Sequence, residues 1–277
     1  MLSPKEIIEA YINASKTKAG MSFMTVIGKA IMAGMMIAMG AAGSSVAAHA
    51  VTNVGLSRFV AGLVFPVGLM MVIFLGAELF TGDCLMATAV PNKDIKLMDF
   101  VRVLCLVYIG NFIGSVILAA LVYYSGQLGY SGGLLGAYTI KVALGKATIT
   151  PVKALTSGIL CNILVAGAVL LAMASKEAAG KILAAFFVIM LFVTSGYEHC
   201  VANMYYITAG LFAKMDPSYV SVAMSEYGYT EAQLAALNIK NMLITNQIPV
   251  TIGNIIGGSG IGLAVFFTTG LKNKKNK

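Results

Sequence analysis

Ser195-Gly196-Tyr197-Glu198-His199-Cys200-Val201-Ala202-Asn203-Met204-Tyr205 is a polar interruption in a run otherwise apolar enough to cross a membrane. A second interruption, Gly76-Ala77-Glu78-Leu79-Phe80-Thr81-Gly82-Asp83, breaks another such run in the first half of the chain. An ionisable side chain at bilayer depth costs about 2.5–3.5 kcal/mol on insertion scales and is rare unless it faces a cavity or a partner. One break in each half is the pattern of discontinuous helices that meet near the midplane around a solute path. The two stretches together predict a pore.

The rest of the composition agrees with a membrane setting. Of the 277 residues, 58% are apolar and only 11% charged, and the mean hydropathy is +0.86. Soluble domains carry about 25% charged residues. The length allows about six spans of ~20 residues in one domain. Met1 to Gly20 has no apolar core of the kind a cleavable signal needs. The net charge of +8 is explained by lysines gathered on one side of the membrane rather than by a nucleic-acid partner. Cys84, Cys105, Cys161 and Cys200 lie in or beside apolar runs. Their spacing fits no zinc or CxxC pattern, so they read as free thiols. No metal, cofactor or nucleotide motif is present, and no catalytic one.

Apolar spans are expected at about 26–50, 59–90, 100–125, 152–174, 182–212 and 241–269. The second and fifth exceed what a bilayer needs and carry the breaks. Ser3-Pro4-Lys5-Glu6 predicts a capped amphipathic helix over residues 1–20 lying on the membrane surface. Residues 21–271 then form the six-helix domain, and 272–277 a basic tail. The lysine distribution predicts both termini in the cytoplasm, and hence a multi-pass protein of the cytoplasmic membrane. Thr230-Glu231-Ala232-Gln233 predicts a second capped surface helix.

The halves resemble each other. Lys29-Ala30-Ile31-Met32-Ala33-Gly34 matches Lys153-Ala154-Leu155-Thr156-Ser157-Gly158, and Gly76-Ala77-Glu78 matches Gly196-Tyr197-Glu198. Ile109-Gly110-Asn111-Phe112-Ile113-Gly114 matches Ile252-Gly253-Asn254-Ile255-Ile256-Gly257. A repeat of three spans inverts its topology, so both broken helices meet on a pseudo-twofold axis. The expected fold is therefore all-α: six transmembrane helices as two inverted three-helix repeats, with helices 2 and 5 broken. The glycines at 110, 114, 253 and 257 read as close helix contacts.

His199, midway along a span, should face protein or water, and its imidazole can donate, accept or carry charge near neutral pH. Glu198 either holds the ring and loop or acts on the solute. Thr81, in a Gly-bounded break, offers a hydroxyl to an anion, and Asp83 is expected to cap the half-helix that follows. Lys146, in the loop before span 4, draws anions or is simply solvated. Asn162, inside span 4, needs a hydrogen-bond partner, and His49 reads as a surface residue.

Glu78-Leu79-Phe80-Thr81-Gly82, Gly158-Ile159-Leu160-Cys161-Asn162, Gly196-Tyr197-Glu198-His199-Cys200-Val201-Ala202-Asn203-Met204 and Ile248-Pro249-Val250-Thr251-Ile252-Gly253-Asn254-Ile255-Ile256-Gly257-Gly258 together resemble the formate/nitrite transporter family over nearly the whole chain. Asp83-Cys84 after Thr81-Gly82 makes the chain most similar to its hydrosulfide-channel branch. The resemblance implies an aquaporin-like fold and homopentamers with one pore per protomer. It implies a central His199, a loop Thr81 and a vestibule Lys146. It also implies two apolar constrictions, Phe65, Leu69 and Phe80 on one side and Asn162, Val165 and Phe192 towards the other. The expected solutes are hydrosulfide foremost, then formate and nitrite.

A bare anion pays a steep desolvation cost in such a slit, whereas its neutral acid does not. His199 is therefore expected either to donate a proton or to polarise the solute. A proton-coupled symporter would use the same residues. A membrane enzyme with a Cys/His or His/Glu site and a neutral-solute channel are the other readings; the first lacks a motif, and Lys146 and His199 argue against the second.

Overall fold

A computed structural model describes residues 1–271; the expected basic tail, 272–277, lies outside them. α1 (Pro4–Ala19), with Ile8, Tyr11 and Ile12 buried in the main core, is followed by α2 (Phe23–Ala48) as the first span. The second span is α3 (Val54–Val64) and α4 (Val67–Phe74), kinked at Pro66. Beyond the break come the short α5 (Phe80–Asp83) and a 3₁₀ turn, Cys84–Ala89. α6 (Leu97–Tyr124) closes the first repeat. The second repeat opens with α7 (Leu134–Ala147) and α8 (Pro151–Ala174). Its broken span is α9 (Ala178–Ser195) and α10 (Cys200–Ala213). α11 (Pro217–Tyr227) and α12 (Glu231–Ala235) then cover α7. The last span is α13 (Ile239–Asn241), a π-helical turn at Met242–Gln247 and α14 (Ile248–Thr268). Six of these helical stretches are long and apolar enough to cross a membrane.

Local chemistry sets the ends. Ser3 caps α1 in a reciprocal box with Glu6, whose carboxyl is held below its ordinary range by the Ser3 backbone N–H and hydroxyl. Thr230 and Gln233 form the same box on α12. Gly76 and Gly196 open the two breaks at φ +63° and +72°, a left-handed turn that a side chain resists.

Two helix pairs form the backbone of the fold, α2 against α6 and α8 against α14. A side chain at Gly114 would strike the Ile31 carbonyl, and one at Gly257 the Ile159 carbonyl. Gly110 and Gly253 sit one turn earlier against Ile27–Ile31 and Leu155–Ile159. The glycines therefore act through packing, because lipid supplies no hydrophobic drive between helices and close backbone contact must.

These contacts also correct the expected repeat. Ile31 takes the place of Ile159 and Ala30 that of Gly158, so the first-span alignment slips by one helical turn from the Lys29–Lys153 match. Both helices repeat small residues at one-turn spacing (Ala30, Gly34; Ala154, Gly158), and a one-turn slip costs a sequence match nothing. The other two matches, at the breaks and at Asn111 and Asn254, hold.

Candidate functional site

Each break exposes backbone N–H and C=O groups that no helix satisfies, and in a bilayer these need internal partners. Two asparagines supply them in parallel. Asn111 accepts from Phe80 N–H (3.0 Å) and donates to the carbonyls of Ala30 (2.8 Å) and Glu78 (3.0 Å). Asn254 accepts from Cys200 N–H (2.9 Å) and donates to Gly158 (2.8 Å) and Glu198 (3.0 Å). Asn162, expected to need a partner, donates to the carbonyls of Thr81 (3.1 Å) and Asn254 (2.6 Å), which ties the first break to the last span.

The breaks bring Thr81 and His199 together. Thr81 Oγ1 lies 2.9 Å from His199 Nε2, with both residues buried. The Ala202 N–H donates to His199 Nδ1 at 3.1 Å, which makes the ring the cap of α10. A nitrogen that accepts carries no hydrogen, so the neutral ring holds its proton on Nε2 and donates it to Thr81 Oγ1. The Thr81 hydroxyl hydrogen is left for another acceptor.

Above this pair a cavity of about 670 Å³ opens to one face of the molecule. Its wall runs from His49 and Arg58 past Lys146 and Tyr206 to Phe65, Phe192 and His199. His49 bonds Val46 O and Ser131 Oγ on its rim. Phe65 and Phe192 meet edge to face with centroids 5.5 Å apart, and Phe192 lies 5.8 Å from the His199 ring. The resemblance put Phe65 with Phe80 and Phe192 on the opposite side; in the structure Phe65 and Phe192 are in direct ring contact on the cavity wall. Phe80 packs on Tyr108 at 5.2 Å, while Leu69 and Val165 are buried in the same core.

Lys146 Nζ donates to both oxygens of Glu198, at 3.0 and 3.1 Å, and sits over the Tyr206 ring. Asn203 (2.6 Å) and Asn246 (3.3 Å) add donors to Glu198 Oε2. No oxygen of Glu198 lacks a donor, so the carboxylate holds the break and neutralises the lysine.

The other break has its own lysine, one of those expected to gather on one side of the membrane. Lys18, at the end of α1, lies 2.6 Å from Glu78 Oε2 and bonds Asp83 Oδ1. Tyr11 on the same helix donates to the Gly82 carbonyl at 2.7 Å. Asp83 is therefore a partner of Lys18 and not the expected cap, since α5 begins at Leu79–Phe80 and the turn after Asp83 has no side-chain cap bond. The repeat could have found Lys18: Lys18-Ala19 precedes span 1 as Lys146-Ala147 precedes span 4. Arg102 holds the Ala19 carbonyl at 2.6 Å, and Thr245 the Ala147 carbonyl at 2.5 Å. Among the described residues no group of three His, Cys, Asp or Glu is placed to hold a metal.

The family model for the formate/nitrite transporter matches residues 5–268. The chain belongs to the formate/nitrite transporter family. It is 37% identical over 214 residues to the formate channel FocA of Haemophilus influenzae, across 76% of this chain and 74% of that one. Among solved structures it superposes on a pentameric formate channel with formate bound at a TM-score of 0.82 and 31% identity, covering 90% of this chain and 98% of that one. A second, an FNT family ion channel, gives 0.79 at 25% identity over 95% and 99%. The family membership and these neighbours establish a multi-pass membrane protein with the aquaporin-like fold of six helices in two inverted repeats.

Proposed function

We propose that this protein is a channel for small monovalent anions of weak acids, with formate and nitrite as solutes and hydrosulfide as a third. The reading places it in the cytoplasmic membrane as a homopentamer, both termini inside, each protomer with its own pore. Thr81 and His199 lie at the centre, Phe65, Phe192, Leu69, Phe80 and Val165 form the constrictions, and Asn162 and Glu198 frame the path. The observation that carries it is the Thr81–His199 pair, 2.9 Å apart at the foot of the cavity. The solute preference follows the relatives' names. Asp83 and Cys84 are committed to Lys18 and to the Phe80 carbonyl, so they add no geometric preference for hydrosulfide.

The tautomer supports a polarising role for His199 over proton donation, exerted on the solute through Thr81. A second proton on Nδ1 would break the Ala202 cap, whereas Nε2–H already steadies the Thr81 oxygen and turns its hydroxyl hydrogen outward. His199 thus polarises Thr81, and Thr81 donates to the anion between the slits. A charge-assisted hydrogen bond is worth about 1.5–3 kcal/mol, or roughly ten- to a hundredfold in rate. Thr81→Val should lower formate flux into liposomes by that amount. His199→Asn, which keeps a cap acceptor, should lower it as well. Unchanged flux in both variants defeats the reading.

A proton-coupled carrier is the second reading, favoured by a titratable ring in the path. Reversal of flux under a proton gradient, with no anion gradient, would select it.

A further inference from the structure

The cavity above His199 holds a cation that the pore chemistry has not used. Arg58 stands on α3 at the rim, and its guanidinium lies against the backbone of Gly196, so that any side chain at 196 would run into it. The matching glycine in the other break, Gly76, has open space at the same position. The guanidinium therefore belongs to one mouth only.

The charges on this wall can be sorted. Lys146 is neutralised by Glu198 at 3.0 Å. Lys141 lies over the Tyr227 ring at 4.3 Å. Arg58 makes no ion pair or hydrogen bond among the described residues, and no carboxylate lies within salt-bridge distance of it. Its five donors are free, in a planar fork matched to two oxygens of one anion. A lysine already held by a buried carboxylate offers an incoming anion little net field, whereas a free guanidinium offers a full charge and a geometry.

We propose that Arg58 is the capture residue of this mouth, selecting planar two-oxygen anions such as formate and nitrite before they reach Thr81 and His199. The proposal rests on the channel reading above. Gly196 is then required twice, for its turn and for the space that the guanidinium occupies beside it. A single-centre anion such as hydrosulfide gains the charge but not the fork.

The test compares wild type, Arg58→Gln and Arg58→Lys in liposomes, with formate, nitrite and hydrosulfide at low and high salt. Charge-steered entry falls steeply with ionic strength, so Arg58→Gln should lose roughly tenfold in formate and nitrite flux at low salt. The gap should close at high salt. Arg58→Lys should restore hydrosulfide flux and only part of the flux of the other two. Should Arg58→Gln fold poorly, Thr52→Glu adds a carboxylate to the same wall with Arg58 intact, and should give the same salt-dependent loss. Equal flux at low salt, or a deficit that persists unchanged at high salt, overturns capture. Full rescue of all three anions by lysine overturns the selection. If wild type conducts none of the three, the channel reading falls with it; if wild type conducts and Arg58→Gln matches it, only the capture role falls.

Discussion

At the break near the cavity a lysine meets one carboxylate, Glu198, which two asparagines also hold. At the other break Lys18 meets two, Glu78 and Asp83, with Lys29 at a longer 3.7 Å from Glu78, and Asp83 stands where the repeat has Asn203. Asp83 Oδ2 has no hydrogen-bond partner, and the side chain is nearly fully buried. The backbone scaffolds of the breaks are alike, with Asn111 and Asn254 in the same three-bond role. What differs is how each charge is balanced. Repeat symmetry therefore fixes main-chain hydrogen bonding strictly and leaves electrostatics free to diverge between the two faces.

The largest expected effect falls at the break with two buried carboxylates. Lys18→Ala leaves the buried Asp83 without its cation and Glu78 with only Lys29, 3.7 Å away, and breaking a buried ion pair costs about 3–5 kcal/mol. Thermal unfolding in detergent should show the largest loss of the series here; a loss smaller than that of Lys146→Ala would refute the asymmetry. Asn254→Ala comes next. It orphans one N–H and two carbonyls, at about 1–3 kcal/mol for a lone group and less where lipid-embedded partners re-form, so about 2–4 kcal/mol in all. Asn111→Ala should match it closely, and a large difference between them would mean that the scaffolds are not equivalent. Lys146→Ala should cost about 1–3 kcal/mol, since Asn203 and Asn246 still donate to Glu198. Asp83→Asn should be smallest, within about 1 kcal/mol of wild type, because the lost attraction and the removed desolvation offset each other. Combined with Lys18→Ala it should recover part of the loss. If Asp83→Asn alone destabilises as much as Lys18→Ala, Asp83 rather than Glu78 is the lysine's main partner.

Much of this was legible in the sequence, for reasons that vary by element. The breaks stood out because Glu78, Glu198 and His199 are costly at bilayer depth and Gly76 and Gly196 mark left-handed turns. The capping boxes at Ser3 and Thr230 are local, and local chemistry reads directly. The Gly110–Asn111–Gly114 and Gly253–Asn254–Gly257 patterns carry both packing and hydrogen bonding, so their register was unambiguous. The first-span register slipped because small residues at one-turn spacing look alike when shifted by a turn. Asp83 was misread as a cap because a carboxylate near a helix start has two possible partners, and Lys18 is 65 positions away in the chain. The Phe65–Phe192 contact joins two spans from different halves of the chain, which no periodicity encodes.

The anchoring of α1 has a practical side. Leu2 N–H reaches the Ala174 carbonyl at 2.9 Å, and Tyr11 and Lys18 reach into the first break. A purification tag joined directly to Met1 would lever a rod whose far end grips the loop carrying Thr81. Workers expressing this protein should place a long flexible spacer before Met1, and should check the yield of short-spacer fusions before blaming a point mutation for lost transport.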